Sequence, residues 1–156
     1  MTVSAVEQLR TIADYQFGRG AGEALFPRSA EFEIQRSSSG RPRQVAIDGH
    51  RLVTLGTDGR FTLGLAGGRR LAAALEPPAY RVVVGDESEP FVREGKNVFN
   101  KFVREVDPAI RGGDEVLIEH ERGEVIAVGR AELDAGSMTD FETGMAVLVR
   151  DGAVEE

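Results

Sequence analysis

Apolar and polar positions follow two rhythms along the chain, and the changes of rhythm mark its elements. Between Ala5 and about Tyr15, Val6, Leu9, Ile12 and Ala13 recur at the three-to-four spacing that gathers them on one stripe of a helix. Ser4 stands before the stripe and Glu7 three residues later, a pairing that predicts a capped start. "GEALF" (22–26) predicts a further helical turn. The period then drops to two through "EFEIQR" (31–36), "RQVAIDG" (43–49), "HRLVTLG" (50–56) and "GRFTLGL" (59–65), which read as strands. Asp48-Gly49 and Asp58-Gly59 predict tight hairpins, because type I′ turns need positive φ. "GGRRLAAAL" (67–75) returns to a helical pattern. Helix, four strands and helix make an antiparallel sheet packed with helices, the first half of an α+β chain.

Pro77 and Pro78 in "LEPPAY" stop the preceding helix, since neither has a backbone N–H, and they divide the chain into units 1–78 and 79–156. The second unit reads as strand "YRVVVGD" (80–86) and helix "SEPFVRE" (88–94), capped by Ser88 with Pro90 in its first turn. A single strand "NVFNKFVREV" (97–106) follows, then strands "DEVLIEH" (114–120), "EVIAVGRAEL" (124–133) and "MAVLVRDG" (145–152). "SMTDFETG" (137–144) predicts a short helix capped by Ser137. Short strands at close spacing imply a curved, mixed pseudo-barrel with Val82, Val84, Val116, Ile118, Ile126, Val128, Ala146 and Leu148 in its core. "RSSSGRPR" (36–43) reads as no more than a mobile loop.

Charge complicates this picture. The net charge is −7, yet residues 1–79 hold ten Arg against eight carboxylates, while residues 80–156 hold nine cations against eighteen. The cations are 17 Arg and 2 Lys, and an acidic surface poor in Lys suits a salt-rich cytoplasm, although compositional bias gives the same ratio. With no Cys and only His50 and His120 as imidazoles, no metal centre and no disulfide is expected. No apolar run approaches the roughly 20 residues that cross a bilayer, and the first residues lack the pattern of a signal peptide. The expectation is a cytoplasmic chain with no membrane partner.

Candidate chemistry is sparse. "RGGDEV" (111–116) looks like a cyclase loop, but it reads as a Gly turn feeding a strand, with too little chain after it for that fold. "FGRGAGEALF" (17–26) has neither a preceding strand nor the Gly-Lys-Ser/Thr ending of a phosphate loop, so close packing at a helix break is expected. Arg19 beside it is free to touch an RNA phosphate. His50 follows a turn and reads as solvated, His120 falls at a strand end, and Glu119 and Glu121 read as a solvated face. No catalytic set, no cofactor and no enzyme activity is predicted.

"FVREGKNVFNKFV" (91–103) holds both Lys of the chain among three Phe and two Asn. Gly95 permits a left-handed cap, and alternation would set Phe99, Lys101 and Val103 on one face and Val98, Asn100 and Phe102 on the other. Two readings stay open on spacing alone. Either the rings are core and the Lys solubilise an edge strand, or cation, amide and aromatic serve phosphate pairing, edge hydrogen bonds and base stacking.

Residues 80–152, and above all "PFVREGKNVFNKFV" followed by "DPAIRGGDEVLI", resemble the PUA domain in the version that ends archaeal tRNA-guanine transglycosylases and archaeosine synthases. "ADYQFGRGAGEALF" (13–26) with its strand cluster resembles the domain just before PUA in those enzymes. The resemblance implies an RNA-binding protein that grips tRNA or another structured RNA near an acceptor stem and 3′ end. The expected role is a non-catalytic accessory in tRNA modification or RNA maturation, or alternatively a protein-interaction subunit that completes a split modification enzyme, with a catalytic partner, or a ribosome-related complex. The RNA-binding residues so implied are Arg93, Gly95, Lys96, Asn97, Val98, Phe99, Lys101, Gly144 and Ala146. The family's catalytic barrel, with its carboxylate nucleophile and Cys-bound zinc, has no counterpart in the sequence, so base exchange by this chain alone is not expected.

Overall fold

Helix α1 (Ala5–Phe17) opens as its sequence predicts, with the Ser4 hydroxyl accepting the Glu7 backbone N–H at 3.2 Å. It belongs to a computed structural model that describes residues 4–154 and falls into two compact units, one ending at Leu75 and the other beginning at Glu76.

In the first unit α1 turns sharply into α2 (Ala21–Leu25). Gly22 lies so close to α1 that a Cβ there would meet the Arg10 carbonyl oxygen at 2.4 Å, so the glycines serve close packing. Four antiparallel strands follow in chain order: β1 (Glu33–Arg36), β2 (Pro42–Ile47), β3 (His50–Leu55) and β4 (Phe61–Leu63). Ile34, Val45, Val53 and Leu63 pair in one row, and Gln35, Gln44, Thr54 and Thr62 in the next. Val45, Val53 and Leu63 of the apolar row, with Leu55 and Phe61, join Leu9, Ala13 and Phe17 of α1, Leu25, Phe26 and, from α3 (Leu65–Ala74), Leu71 among the buried side chains. Each such Leu or Phe contributes roughly 1.5–3 kcal/mol. The segment 36–43, expected as a mobile loop, is a hydrogen-bonded hairpin end: Ser37 donates its N–H to Arg41 at 2.8 Å, and Gly40 to Ser37 at 2.9 Å.

The second unit is a six-stranded mixed sheet in the order β6 (Val98–Phe99), β10 (Met145–Gly152), β9 (Val125–Ala131), β8 (Glu115–His120), β5 (Arg81–Val84), β7 (Val103–Val106). Only β5 and β8 run parallel. The outer strands β6 and β7 are joined by a 3₁₀ turn of three residues, Asn100–Phe102, so the sheet has to curl until its two edges nearly meet. The core within includes Val82, Val84, Val116, Ile118, Ile126 and Ala146, with Val98, Ile110 and Met138. Helix α4 (Glu89–Arg93) follows β5, and α5 (Ala135–Asp140) precedes β10. Among the described residues no helix is long and apolar enough to cross a membrane.

Four expectations fail here for physical reasons. Residues 97–106 are not one strand: the chain pairs first with β10 and then with β5, and one straight strand cannot serve both edges of a curled sheet. Alternation holds from Val98 to Lys101, with Val98 and Asn100 inward, and ends at Phe102 and Val103, which are both half-buried. Leu148 is 38% exposed, because a register shift between Met145 and Val147 lets Ala146 and Val147 both face inward and turns the next residue out. Neither serine caps its helix. Ser88 already has helical φ and ψ and offers no side-chain bond to the helix start, while Ser137 lies inside α5 behind the extended residue Asp134 and donates to that carboxylate at 2.5 Å. Nor is Glu119 solvated, since it accepts from Arg81 Nε at 2.9 Å in a half-buried pair.

Candidate nucleic-acid interface

The corner that follows α4 is built by its sequence. Pro90 stands in the first turn of α4 and Gly95 ends it at φ +94°. The Gly95 N–H reaches the Val92 carbonyl at 3.0 Å and the Lys96 N–H the Phe91 carbonyl at 2.9 Å, the two reciprocal bonds of a Schellman cap. Space is open around Gly95, so the positive φ alone selects glycine there. The cap turns the chain sideways and leaves Lys96 exposed at the helix end.

Asn97 is half-buried, and its Oδ1 accepts the Val149 N–H at 3.0 Å. Val98 is buried in the barrel, so the next residue, Phe99, stands outward at 49% exposure. Asn100 dives in again: its N–H goes to the Gly144 carbonyl at 2.9 Å and its Nδ2 to the Thr143 carbonyl at 3.2 Å. Lys101 then emerges, its Nζ 5.1 Å from the centroid of the Phe102 ring. Gly144, at φ +129°, packs so closely that a Cβ there would lie 3.0 Å from Asn100 Nδ2.

Between α4 and this turn runs a groove of about 330 Å³, walled by Phe91, Phe99 and Phe102, with Lys96 and Asn97 at its border. Phe91 is 59% exposed. Neither Lys ammonium has a carboxylate partner among the described residues. The acid in the groove wall, Glu87, is held by Arg104. Cations, open ring faces and amide groups therefore meet at one corner, the combination that holds an unpaired, phosphate-bearing nucleotide.

The nine residues implied by the sequence divide by depth. Gly95, Lys96, Phe99, Lys101 and Gly144 are exposed, Asn97 is half-buried, and Val98 and Ala146 lie in the core beneath. Arg93 is drawn away from the surface. Its guanidinium donates to Glu89 at 2.9 Å, to Glu124 at 2.7 Å and to the Ala153 carbonyl at 3.1 Å. The hydrogen bond from Arg122, helped by Arg93, holds the Glu89 carboxyl down to about 2 against the opposing effect of burial. Sequence reasoning missed Phe91, since a one-turn helix with apolar residues on two sides does not say which side is open. His50 is exposed at the start of β3.

One further cluster has ligand-type atoms within 4.8 Å of one another, namely Asp86, Glu89 and His120. His120 Nδ1 accepts the Arg122 N–H at 3.1 Å, which leaves the proton on Nε2 for Asp86 Oδ1 at 2.6 Å. A metal on Nε2 would need the opposite tautomer, and Glu89 is already neutralised by two Arg, so the donor set does not fit a cation.

A curled six-stranded mixed barrel with an open corner after its first helix defines the class, and residues 80–153 match the PUA domain family. Residues 7–78 match the patch-forming domain C2 of tRNA-guanine transglycosylase. Over nearly its whole length the chain resembles the C-terminal region of archaeal tRNA-guanine(15) transglycosylase. It is 49% identical to that enzyme of Pyrococcus furiosus over 154 residues, covering 98% of this chain and 26% of the relative. With the enzyme of Methanothermobacter thermautotrophicus it shares 43% over 152 residues, 97% of this chain and 23% of the relative. It thus spans about a quarter of the relatives' length. In fold it is similar to a hypothetical protein of Pyrococcus horikoshii, with TM-score 0.75, 18% identity and coverage of 100% and 94%. A conserved PUA-domain protein of Thermoplasma acidophilum gives TM-score 0.69, 22% identity and coverage of 99% and 93%.

Proposed function

We propose that the chain is an RNA-binding accessory of RNA modification, without chemistry of its own, which docks tRNA or another folded RNA in the cytoplasm. The observation that carries this reading is the pair of ammoniums free of carboxylates, Lys96 and Lys101, beside the groove of Phe91, Phe99 and Phe102. Phosphates settle on the Lys and an unpaired end stacks on a ring, so shape and a free end select the RNA rather than a duplex sequence. Exposed Gly95 and Gly144 and half-buried Asn97 bring backbone and amide groups to the border, while Val98 and Ala146 support it from beneath. Mobility-shift titration with total tRNA over a range of salt is the test. Binding by the wild type that weakens in Lys96→Ala with Lys101→Ala supports the reading, and equal binding by both removes it.

A second reading rests on coverage. The relatives matched over nearly all of this chain are named for transglycosylation, which favours a catalytic partner working with it. A pull-down from native extract that survives nuclease treatment supports that partner, and one that vanishes leaves RNA as the sole link.

A further inference from the structure

In the antiparallel order β1-β2-β3-β4, the β1–β2 and β3–β4 connections emerge at the same end of the first unit's sheet. The Arg41 side chain ties them together, its Nη2 donating to the Gly56 carbonyl at 2.6 Å. Arg36 Nη1 likewise donates to a carbonyl, Gly40, at 2.9 Å. Arg36, Arg41 and Arg43 are exposed and have no carboxylate partner among the described residues. Arg60 ends the β3–β4 connection. The one acid of these two connections, Asp58, turns its Oδ1 back onto the Arg60 backbone N–H at 3.0 Å. In the second unit six of seven arginines, Arg81, Arg93, Arg104, Arg122, Arg130 and Arg150, meet a carboxylate, Arg111 being the exception among the described residues. In a chain of net charge −7, uncompensated guanidiniums concentrated on one hairpin end make a local positive field.

We propose that this arginine tip is a second RNA contact, which clamps the sugar-phosphate backbone of a duplex segment. The inference rests on the RNA-binding reading above but uses different residues. Guanidiniums match phosphate geometry in bidentate fashion, and the hydroxyls of Ser37 and Ser39, 2.9 Å apart, add donors on the same turn. No aromatic side chain lies within residues 36–43 or 56–60, so nothing there stacks on a base. The contact is therefore blind to sequence and strongly dependent on salt.

The test is fluorescence anisotropy of the full chain with a blunt RNA duplex, which offers phosphates but no unpaired end, at several salt concentrations. Arg36→Gln with Arg43→Gln is expected to weaken duplex binding about tenfold and to make the slope of log K against log salt shallower by about 2. Lys96→Ala with Lys101→Ala is expected to leave the duplex slope close to wild type while weakening tRNA. Arg43→Glu alone, at a side chain with no hydrogen-bond or ion-pair partner among the described residues, is expected to weaken the duplex likewise and guards against a fold defect in the double variant. Unchanged affinity and slope in the Arg variants overturn the tip and leave the corner standing. Equal competition by poly-glutamate and RNA overturns the assignment to RNA, and a wild type that binds neither tRNA nor duplex overturns both sites.

Discussion

The Asn97 Oδ1 accepts the backbone N–H of Val149 across 3.0 Å, fastening the chain before β6 to the middle of β10. Asn97→Ala leaves that partly buried N–H without its acceptor and is expected to cost about 1–2 kcal/mol. Thermal or urea unfolding checks this, and a stability within 0.3 kcal/mol of wild type, roughly the error of such measurements, contradicts it.

Gly95 and Gly144 separate two kinds of need for glycine. Gly95→Ala faces open space and a positive φ, so it is expected to cost about 1–2 kcal/mol through backbone strain alone. Gly144→Ala adds the 3.0 Å approach to Asn100 Nδ2 and is expected to cost more. Gly95→Asn recovers part of the first loss, because Asn tolerates the left-handed region. Denaturant midpoints rank the three, and a Gly95→Ala variant worse than Gly144→Ala reverses the assignment.

The Glu89 network fixes the acid limb of stability. Arg122 and Arg93 hold the Glu89 carboxyl at about 2, below its ordinary 4.5, so the pairing stabilises the fold fully above about 4.5 and is lost as pH falls towards 2. Glu124, lowered chiefly by Arg93, adds to the same limb. Melting temperature followed from pH 6 down to 2 is therefore expected to drop more steeply in the wild type than in Glu89→Gln. Parallel curves for the two proteins rule out this origin.

Phe99 is expected to stack on a base. Phe99→Ala should weaken an unpaired RNA end by about 1–3 kcal/mol, with Phe99→Tyr close to wild type. Since Phe99 is half exposed, stability should change far less than affinity. Anisotropy with a short single-stranded end reads the first and a thermal melt the second.

Periodicity made much of the fold legible. The α1 stripe, the strands before Leu65 and the run Met145–Gly152 appear where the pattern puts them, because each element buries one face against its neighbours. What escaped depends on partners distant in sequence. Val98 inward, Phe99 outward and Asn100 inward satisfy a straight strand as well as a broken one, and only the carbonyl of Gly144 and the pairing with Val84 distinguish them. Leu148 is displaced by a bulge in β10 opposite β6. For the corner, glycine and the two Lys could be found by eye, whereas the withdrawal of Arg93 into ion pairs with Glu89 and Glu124 needed the packed chain. The arginine tip was hidden for the same reason, since sequence counts charges but does not say which are already spoken for.

The three-residue turn between β6 and β7 places the proposed reading surface on the covalent link that joins the barrel's free edges. An occupant resting on Phe99 and Lys101 therefore acts as a clasp, and amide protons of both edge strands inherit its residence time. Recognition and endurance cannot be tuned apart in such a design: whatever loosens the grip also eases the hem.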